Sequence, residues 1–376
     1  MPINDEMNSS IYIRKLSEID HDVSGLGFDD TFGLCKLSDS IKKALLANPF
    51  KKNIEVPSQV LGLVENKVVG QEVVFPVRVK AGDKYYEAIA GSGLFVHEKY
   101  RKSQLGMKLI TKREELSGDG IAIGCGLSQQ ALPVHLMFDY VCFPMQRLMW
   151  VFKSRAIVER MLGKTLFSWG LIGFVDGMLV IATLALRAIV CLRTRGLTIT
   201  RADHADGTIA ALICKDARTF ACDHSTAWMN WQLKHSFSSD ERCQQRLYTI
   251  KDASGQLHGF FTFKIRFHEV ASQRGYRNLL LGSLMEWQSS DPRKLSHATL
   301  AQAALLEMRA CGVDAVEICT DEEKTLRSMK RFFFPKVGEL NFVMRVTEGS
   351  PLRGYEGWAR PANWRLRPSD GDNGLS

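Results

Sequence analysis

The sequence predicts an α+β protein with two similar halves, joined by an apolar and basic helical segment. Three observations support this class. Strand-like and helical patterns alternate up to about residue 142, the same order recurs with weaker patterns after residue 197, and the chain between them has a long apolar stretch flanked by basic residues. We therefore predict four regions: 1–142, a helical linker at 143–196, 197–346, and an irregular tail at 347–376 that is rich in Gly, Pro, Trp and Arg.

The composition restricts the class of protein. The chain has 376 residues, of which 45% are hydrophobic and 24% charged, as is typical of globular proteins. These values exclude a disordered, collagen-like or polytopic membrane protein. The nine cysteines form no C-x-x-C pair, so no structural zinc site is indicated and we expect reduced thiols. The N-terminus lacks a basic stretch followed by an apolar one, and we therefore expect a cytoplasmic protein.

The first region begins with a strand at 11–16 and a helix at 39–47. Turn residues at Asn66-Lys67 and at Ala81-Gly82-Asp83 separate three β-rich runs and predict hairpins. Apolar residues repeat at helical spacing after Ser103, and Ser128 is a suitable N-cap. The remaining predicted elements are strands at 59–65, 68–80, 84–96 and 120–124 and helices from 103 and at 128–137.

The third region contains a helix with Trp228 and Trp231, which at this spacing we expect in the core. Just before it, Asp223 and His224 form an adjacent pair without a third ligand, and we expect them to be solvated loop residues. The elements that follow are predicted to be strands at 246–251, 257–267, 277–287, 313–320 and 340–346 and helices at 300–311 and 322–331.

The predicted linker carries most of the positive charge. Between residues 141 and 201 there are nine basic residues, and the only acidic ones are Glu159 and Asp176, so nearly all of the net charge of +8 lies here. Nucleic-acid binders spread basic residues over a face and interleave aromatics. Here the basic residues flank apolar stretches, and we expect no DNA partner.

Residues 166–186 are long and apolar enough to be considered as a membrane span. About 20 apolar residues cross a bilayer, but Asp176 and three glycines near the centre make a span costly. We expect a linker helix buried in a groove. A peripheral membrane contact through 144–195, at the inner membrane face, and a true span are the alternatives.

A loop at residues 101–106 has the chemistry of an anion site. A strand ends at Val96-His97, and the loop places Arg101, Lys102 and Ser103 before a helix. A helix N-terminus exposes unpaired N–H groups and a positive dipole, so it binds phosphate groups. Basic side chains beside it strengthen the binding of a pyrophosphate.

The run Arg101-Lys-Ser-Gln104-Leu-Gly106 resembles the signature of the GNAT family of acyl-CoA N-acyltransferases, Arg/Gln-x-x-Gly-x-Gly/Ala. Arg101 and Gly106 match, and Gln104 replaces the first glycine. The resemblance covers residues 11–142 directly. A diverged copy over 197–346 has no glycines at its equivalent helix start, residues 291–296. The resemblance therefore implies two GNAT-like halves, of which only the first binds a coenzyme, acetyl-CoA as cosubstrate, and no metal.

The resemblance also implies site residues. Backbone N–H groups at the end of the strand before the loop hold the pantetheine arm and polarise the thioester carbonyl. The implied coenzyme-binding residues are Leu94, Phe95, Val96, Arg101, Lys102, Ser103, Gln104, Leu105 and Gly106. A base must take a proton from the acceptor amine, and an acid protonates the leaving thiolate. The candidate bases are Glu72, Glu87 and His97, and the candidate acid is Tyr140.

These implications predict an N-acyltransferase that acts on a small-molecule amine, with an amino sugar of cell-surface polysaccharide metabolism as one acceptor. Two alternatives remain open. A FemAB-like enzyme of the same fold would take an aminoacyl group from charged tRNA. A noncatalytic GNAT-like scaffold would have lost chemistry in both halves.

Overall fold

A computed structural model describes residues 9–19, 27–28, 37–128, 130–155, 158–159, 165–238, 240–268, 278–332 and 334–370. Strands and helices alternate in the order expected for an α+β protein. The elements up to residue 151 are β1 Ser9–Lys15, β2 Gly27–Phe28, α1 Asp39–Leu46, β3 Pro57–Val64, β4 Lys67–Ala81, β5 Lys84–Val96, α2 Leu105–Glu115, β6 Ile121–Cys125, α3 Ala131–Met137 and β7 Val141–Val151.

A long helix leads into the second set of elements. It is α4, Leu166–Arg193. The elements after it are β8 Leu197–Ala202, α5 Gly207–Ile213, β9 Phe220–Cys222, α6 Thr226–Lys234, β10 Gln244–Asp252, β11 Leu257–His268, β12 Leu279–Ser289, α7 His297–Ala310, β13 Ala315–Thr320, α8 Glu323–Arg331, β14 Lys336–Val346 and β15 Trp364–Arg365.

The strands of both halves form one continuous sheet. Its main path runs β1-β3-β4-β5-β6-β14-β7-β13-β12-β11-β10-β8. Strand β14, from the end of the second half, lies between β6 and β7 and pairs antiparallel with both. The second half therefore supplies a strand that the first half lacks. In addition, β7 continues across the predicted boundary at residue 142, so residues 143–151 are strand and not helical linker.

The hairpins follow the turn chemistry of the sequence. Glu65 and Asn66 both have positive φ, 51° and 60°, and connect β3 to β4, one residue before the predicted Asn66-Lys67 turn. Gly82, with φ 58°, lies in the turn between β4 and β5 as predicted. Positive φ at both central residues matches the right-handed twist of the paired strands. These turns place the long strands β3, β4 and β5 side by side.

Helices begin at residues that cap them. Ser38 Oγ accepts the Ile41 N–H at 3.3 Å, and Ser225 and Ser296 cap α6 and α7 in the same way. A hydroxyl at this position satisfies a donor that has no partner inside the helix. Trp228 and Trp231 of α6 are buried, as predicted, and pack against the sheet of the first half.

The tail predicted as irregular has little regular structure but is deeply buried. Leu352 and Trp364 lie in the core of the first half. Arg365, Arg367 and Asp370 are at most 1% exposed and pair with groups of the second half. Burial of charged groups requires such partners. The tail is therefore part of the folded body up to residue 370.

The expectation that the linker helix is buried is wrong. The stretch Trp169–Arg193 of α4 is long and apolar enough to cross a membrane. Its most apolar 18-residue window has a mean hydropathy of 2.1, yet only 17% of that window is buried. Only one side of the helix, with Leu186 and Val190, packs into the core of the second half. The rest of its apolar surface faces outward.

Candidate active site in the split between two strands

Strands β5 and β6 pair over three residues, in the middle of β5, and then diverge. They run parallel from Ile89↔Ala122 to Gly91↔Gly124. Beyond Gly91, β5 continues to Val96 on β4 alone, and β6 ends at Cys125. The divergence leaves one edge of β5 without a strand partner, and the backbone there can bind another molecule.

Two cavities lie at this divergence. The smaller, of about 250 Å³, is lined by Glu72, Gly91, Ser92, Gly93, Leu94, Arg113, Gly124, Cys125, Gly126, Leu127, Ser128, Ala131 and His135. The larger, of about 680 Å³, is lined by Arg101, Gly126, Leu127, Ser128, Gln130, Arg147, Val337, Gly338, Glu339 and Leu340. Both share residues 126–128, so they form one region that extends from the split toward the loop at Arg101.

The backbone at the end of β5 faces the divergence. The His97 N–H donates to Val69 O of β4 at 2.8 Å. The N–H and C=O of one residue point to the same side of a strand, and successive residues alternate between the two sides. Since the His97 N–H points toward β4, the N–H and C=O of Val96 point away from it. Arg101 Nε donates to Val96 O at 3.2 Å, which agrees with this direction. Leu94 lines the smaller cavity.

Small residues keep the floor of the split open. A Cβ atom on Gly91 would collide with the carboxylate of Glu72 and the guanidinium of Arg113. Gly93 has φ +62° and open space around its Cα, a conformation that favours glycine. The glycines of β5 therefore make room for a buried ion pair and allow a close approach to the backbone.

A buried polar cluster forms the floor of the smaller cavity. Arg113 of α2 forms an ion pair with Glu72 of β4, and both are 1% exposed. Arg113 Nη2 also donates to Tyr140 Oη at 2.6 Å. Burial raises the pKa of Glu72, although the charge of Arg113 opposes it. Among the described residues Glu72 Oε2 has no hydrogen-bond partner, so this oxygen remains available as an acceptor.

Tyr140 lies next to the cavity but does not line it. Its ring packs in the core under α2 and α3, with the ring of His135 edge-on at 4.9 Å. Burial raises the pKa of Tyr140, while Arg113 acts in the opposite direction. Two candidates that are 68 positions apart in the sequence, Glu72 and Tyr140, therefore contact the same guanidinium. The role of Tyr140 as an acid stays a prediction.

His135 is a cavity residue that the sequence analysis missed. Its Nδ1 donates to Ala131 O at 2.9 Å, which leaves the lone pair on Nε2. Burial, with the nearby charge of Arg113, lowers the pKa of His135 to about 4. The ring is therefore neutral at pH 7 and can accept a hydrogen bond in the cavity.

The loop before α2 lies at the rim. Arg101, Lys102 and Gln104 are exposed, and Arg101 also lines the larger cavity. Ser103 Oγ donates to Tyr100 O at 2.7 Å and accepts the Leu105 N–H. A Cβ atom on Gly106 would meet Val96 Cγ2 at 3.6 Å, an ordinary contact. The loop therefore has the predicted form, a helix start with cationic side chains beside it.

Three predicted residues are placed differently. The side chain of Leu105 is 1% exposed and packs on Gly62 and Gly70, so only its backbone is near the rim. His97 Nδ1 accepts the Lys99 N–H at 3.2 Å and caps a 3₁₀ turn. Glu87 pairs with Lys52 at 2.9 Å and lines a separate depression. Neither His97 nor Glu87 lines one of the two cavities. His97 follows the end of β5, and Glu87 lies near the beginning of this strand.

Arg147 is a second cavity residue that the analysis missed. It is on β7, inside the segment predicted to be a helical linker, and its Nε lies 3.3 Å from Glu317 Oε2. Glu317 Oε1 also accepts from Arg266 Nη2 at 2.7 Å. Arg147 and Arg101 make the larger cavity cationic, since its acidic lining residue, Glu339, pairs with Lys336.

The second half has an equivalent divergence, but the chain itself fills it. Strands β12 and β13 pair parallel from Leu281↔Ala315 to Leu284↔Ile318, and β12 then continues to Ser289 with β11 as its strand partner. Ser369 N–H donates to Met285 O at 3.3 Å, and the Arg367 guanidinium lies 4.1 Å above the Trp287 ring. The C-terminal segment therefore occupies the place that is open in the first half.

A buried charge cluster holds this segment. His224 Nδ1 lies 2.5 Å from Glu286 Oε2 and its Nε2 2.6 Å from Asp370 Oδ1. The expectation of a solvated Asp223-His224 loop is wrong, since both residues are at most 5% exposed. Burial alone would lower the pKa of His224, but Glu286 and Asp370 outweigh it and raise the pKa to about 9.

This raised pKa predicts a loss of stability in alkaline solution. The folded state binds a proton more tightly than the unfolded chain, in which the pKa of histidine is about 6.5. The stabilisation is therefore complete below pH 6.5 and is lost as the pH rises through 9. We expect the free energy of unfolding to fall by about 2 kcal/mol between pH 6 and 8.5, measured by urea denaturation. His224→Gln should flatten this decline, whereas the same decline in the variant would contradict the assignment.

Among the described residues no group of three or more His, Cys, Asp or Glu is arranged to hold a metal ion. The titratable side chains that line the smaller cavity are Glu72, Arg113, Cys125 and His135.

The fold matches known structures. A structure of Saccharomyces cerevisiae N-myristoyltransferase with bound myristoyl-CoA matches with 14% identity over 92% of this chain and 84% of that chain, at a TM-score of 0.57. A second structure of this enzyme, with bound myristoyl-CoA and inhibitors, matches with 15% identity over 92% of this chain and 81% of that chain, at a TM-score of 0.55. The chain has the fold of these N-myristoyltransferase structures. This confirms the α+β class and the type of fold that the GNAT resemblance implied.

A further solved structure is less similar to this chain. A GCN5-related N-acetyltransferase from Anabaena variabilis matches with 11% identity over 90% of this chain and 73% of that chain, at a TM-score of 0.49. No protein-family model matches the sequence, and neither does any curated protein. These comparisons therefore assign no activity to the chain.

Proposed function

We propose that this chain is an acyl-CoA-dependent N-acyltransferase whose coenzyme site is the split between β5 and β6. The observation that carries the proposal is the end of β5, which pairs with β4 on one edge and opens on its other edge into connected cavities beside a cationic helix start. The N-myristoyltransferase of the same fold binds myristoyl-CoA. In the second half the equivalent place is filled by residues 367–370, which favours a single coenzyme site.

Different residues would bind different parts of the coenzyme. Arg101 and the N-terminus of α2 would hold the pyrophosphate, because both carry positive charge at the rim. The backbone of β5 near Leu94 and Val96 would hold the pantetheine arm and donate to the thioester carbonyl oxygen. A donor aimed at this oxygen stabilises the negative charge that develops there.

Among the three predicted bases the geometry favours Glu72. Its Oε2 atom is buried without a partner and lies at the cavity, and its raised pKa suits proton uptake. The amine nitrogen attacks the thioester carbon, the C–S bond breaks, and the amine proton passes to the carboxylate. Arg113 positions Glu72, and the neutral ring of His135 can accept a hydrogen bond from the amine.

The acceptor is proposed to be a small polar amine, with amino sugars as the first compounds to test. The larger cavity supports this size and polarity, since it has a volume of about 680 Å³ and is lined by Gln130, Ser128, Arg147 and Glu339. A cytoplasmic location is proposed with it, because CoA thioesters are made there.

Calorimetry with the full-length chain tests the proposal. We expect acetyl-CoA or a longer acyl-CoA to bind in the micromolar range, and CoA thiol to be released when an amine acceptor is added. An acceptor series of amino sugars, amino acids and peptides then ranks the amines. Binding of charged tRNA without coenzyme binding would support the FemAB-like alternative, and binding of neither would support a scaffold.

Gly106 provides a sharper test of where the coenzyme binds. Gly106→Ala adds a Cβ atom at an ordinary 3.6 Å from Val96, so coenzyme affinity should stay within about twofold. Gly106→Trp adds a side chain too large for the space between the helix start and the end of β5. We expect its coenzyme affinity to fall at least tenfold, measured by calorimetry.

One result with these variants would contradict the proposed position of the coenzyme site. If Gly106→Trp binds coenzyme normally while changes at residues 291–296 abolish binding, the coenzyme site lies in the second half. Circular dichroism of both variants controls for misfolding.

A further inference from the structure

Helix α4 exposes an unusual amount of apolar surface. More than half of the exposed large hydrophobic side chains among the described residues lie on this one helix: Phe167, Trp169, Phe174, Met178, Val180, Ile181, Leu184 and Leu192. Phe167 and Leu192, near its two ends, are 72% and 74% exposed. Exposed apolar patches of this kind mark contacts with proteins or membranes.

The apolar surface is confined to the sides that face away from the protein. Thr183, Leu186 and Val190 are buried, and the last two pack with α7 in the core of the second half. On the other sides, Cβ atoms at Gly170, Gly173 and Gly177 would meet no atom within 4 Å. At 1.5 Å per residue, the 28-residue helix presents an apolar strip about 40 Å long.

The charges around the strip are mostly positive. Arg187 and Arg193 lie on the helix, and Arg195 follows it. Arg155, which pairs with Glu159, places its guanidinium 5.1 Å from the ring of Trp169. The acidic residue of the helix, Asp176, is half-buried, and its Oδ1 accepts the Ser154 N–H at 2.7 Å. Asp176 is therefore used within the protein and does not make the strip acidic.

We propose that α4 lies flat on an anionic lipid bilayer, with its outer apolar strip in the interface and its inner side packed on the protein. Aromatic and aliphatic side chains on the strip enter the boundary between headgroups and acyl chains, and the arginines contact anionic headgroups. This inference is independent of the proposed acyltransfer.

The structure favours a bilayer surface over two other occupants. A second copy of the chain would bring the arginines of two α4 helices together, and like charges repel. A membrane span would require Leu186 and Val190 to leave the core of the second half. A bilayer surface needs neither change, and its negative charge is complementary to the arginines.

Cosedimentation of the full-length chain with vesicles tests the proposal. We expect binding to vesicles of phosphatidylcholine with 25% phosphatidylglycerol, and at least tenfold weaker binding to phosphatidylcholine alone. Binding should decrease when salt is raised from 0.05 to 0.5 M, since exposed charges are screened. Protein that stays in the pellet after a carbonate wash would indicate a span and would overturn the flat orientation.

A matched pair of variants locates the contact. Ile181→Asp places a charge on the strip, and we expect at least tenfold weaker binding to the anionic vesicles. Ile54→Asp makes the same change at a residue of similar exposure, 54% against 63%, away from α4, and should bind normally. Equal binding of both variants would overturn the proposal, and so would a concentration-dependent dimer without vesicle binding, as measured by light scattering.

Discussion

Replacing Arg113 with methionine is expected to lower the free energy of unfolding by about 3–5 kcal/mol, because it leaves Glu72 buried without its partner. Arg113 and Glu72 are each 1% exposed, and water cannot replace the lost guanidinium. Tyr140 would also lose its donor. Urea denaturation followed by circular dichroism measures the loss. The loss should be smaller in acid, where Glu72 takes up a proton and is no longer charged.

Two variants separate the buried ion pair from a general effect on α2. Lys112→Met changes the neighbouring position, but Lys112 is partly exposed and pairs only with Glu115, so we expect a change of less than about 0.5 kcal/mol. Combining Arg113→Met with Glu72→Gln removes both charges and should recover part of the stability. A loss below about 1 kcal/mol for Arg113→Met would show that the pair is not a stabilising feature of the fold.

Replacing Tyr140 with phenylalanine is expected to lower the rate of acyl transfer by roughly 10²-fold or more, with little change in coenzyme affinity. The reason is that the buried phenol, whose pKa is raised by burial, stays protonated until it donates its proton to the leaving thiolate. The variant keeps the ring in its core position and removes only the hydroxyl, which accepts from Arg113 at 2.6 Å. Single-turnover rates and calorimetry measure the two quantities separately.

Tyr86 provides the control for this change. Its hydroxyl bonds to that of Tyr355 at 3.0 Å, near the beginning of β5 and outside both cavities. Tyr86→Phe should therefore leave the rate unchanged. If Tyr140→Phe also turns over normally, its hydroxyl has only a structural role, and a water molecule must protonate the thiolate.

The local patterns of the sequence were sufficient for most elements of the fold. Turn residues between β-rich runs marked the hairpins of β3, β4 and β5, and the helix predicted at 39–47 is α1. The cationic loop at Arg101 and the backbone end of β5 also lie where the sequence implied. Each of these features depends on residues close together in the chain, so periodicity and capping chemistry report them directly.

Arg113 shows a signal that was available but not used. It lies four residues after Leu109 and three before Leu116, on the apolar face of α2. A charged residue on such a face needs a buried partner. The spacing indicated burial, but nothing near Arg113 in the sequence identified Glu72 as that partner.

Only the tertiary structure determined which residues far apart in the sequence contact each other. Glu72 and Arg113 are 41 positions apart and His224 and Asp370 are 146 apart, and β14 crosses from the second half into the sheet of the first. The local sequence determined the elements, the helix start with cationic side chains beside it and the apolar character of α4. Burial of charge and strand pairing depend on groups brought together by the whole fold, and no local pattern contains that information.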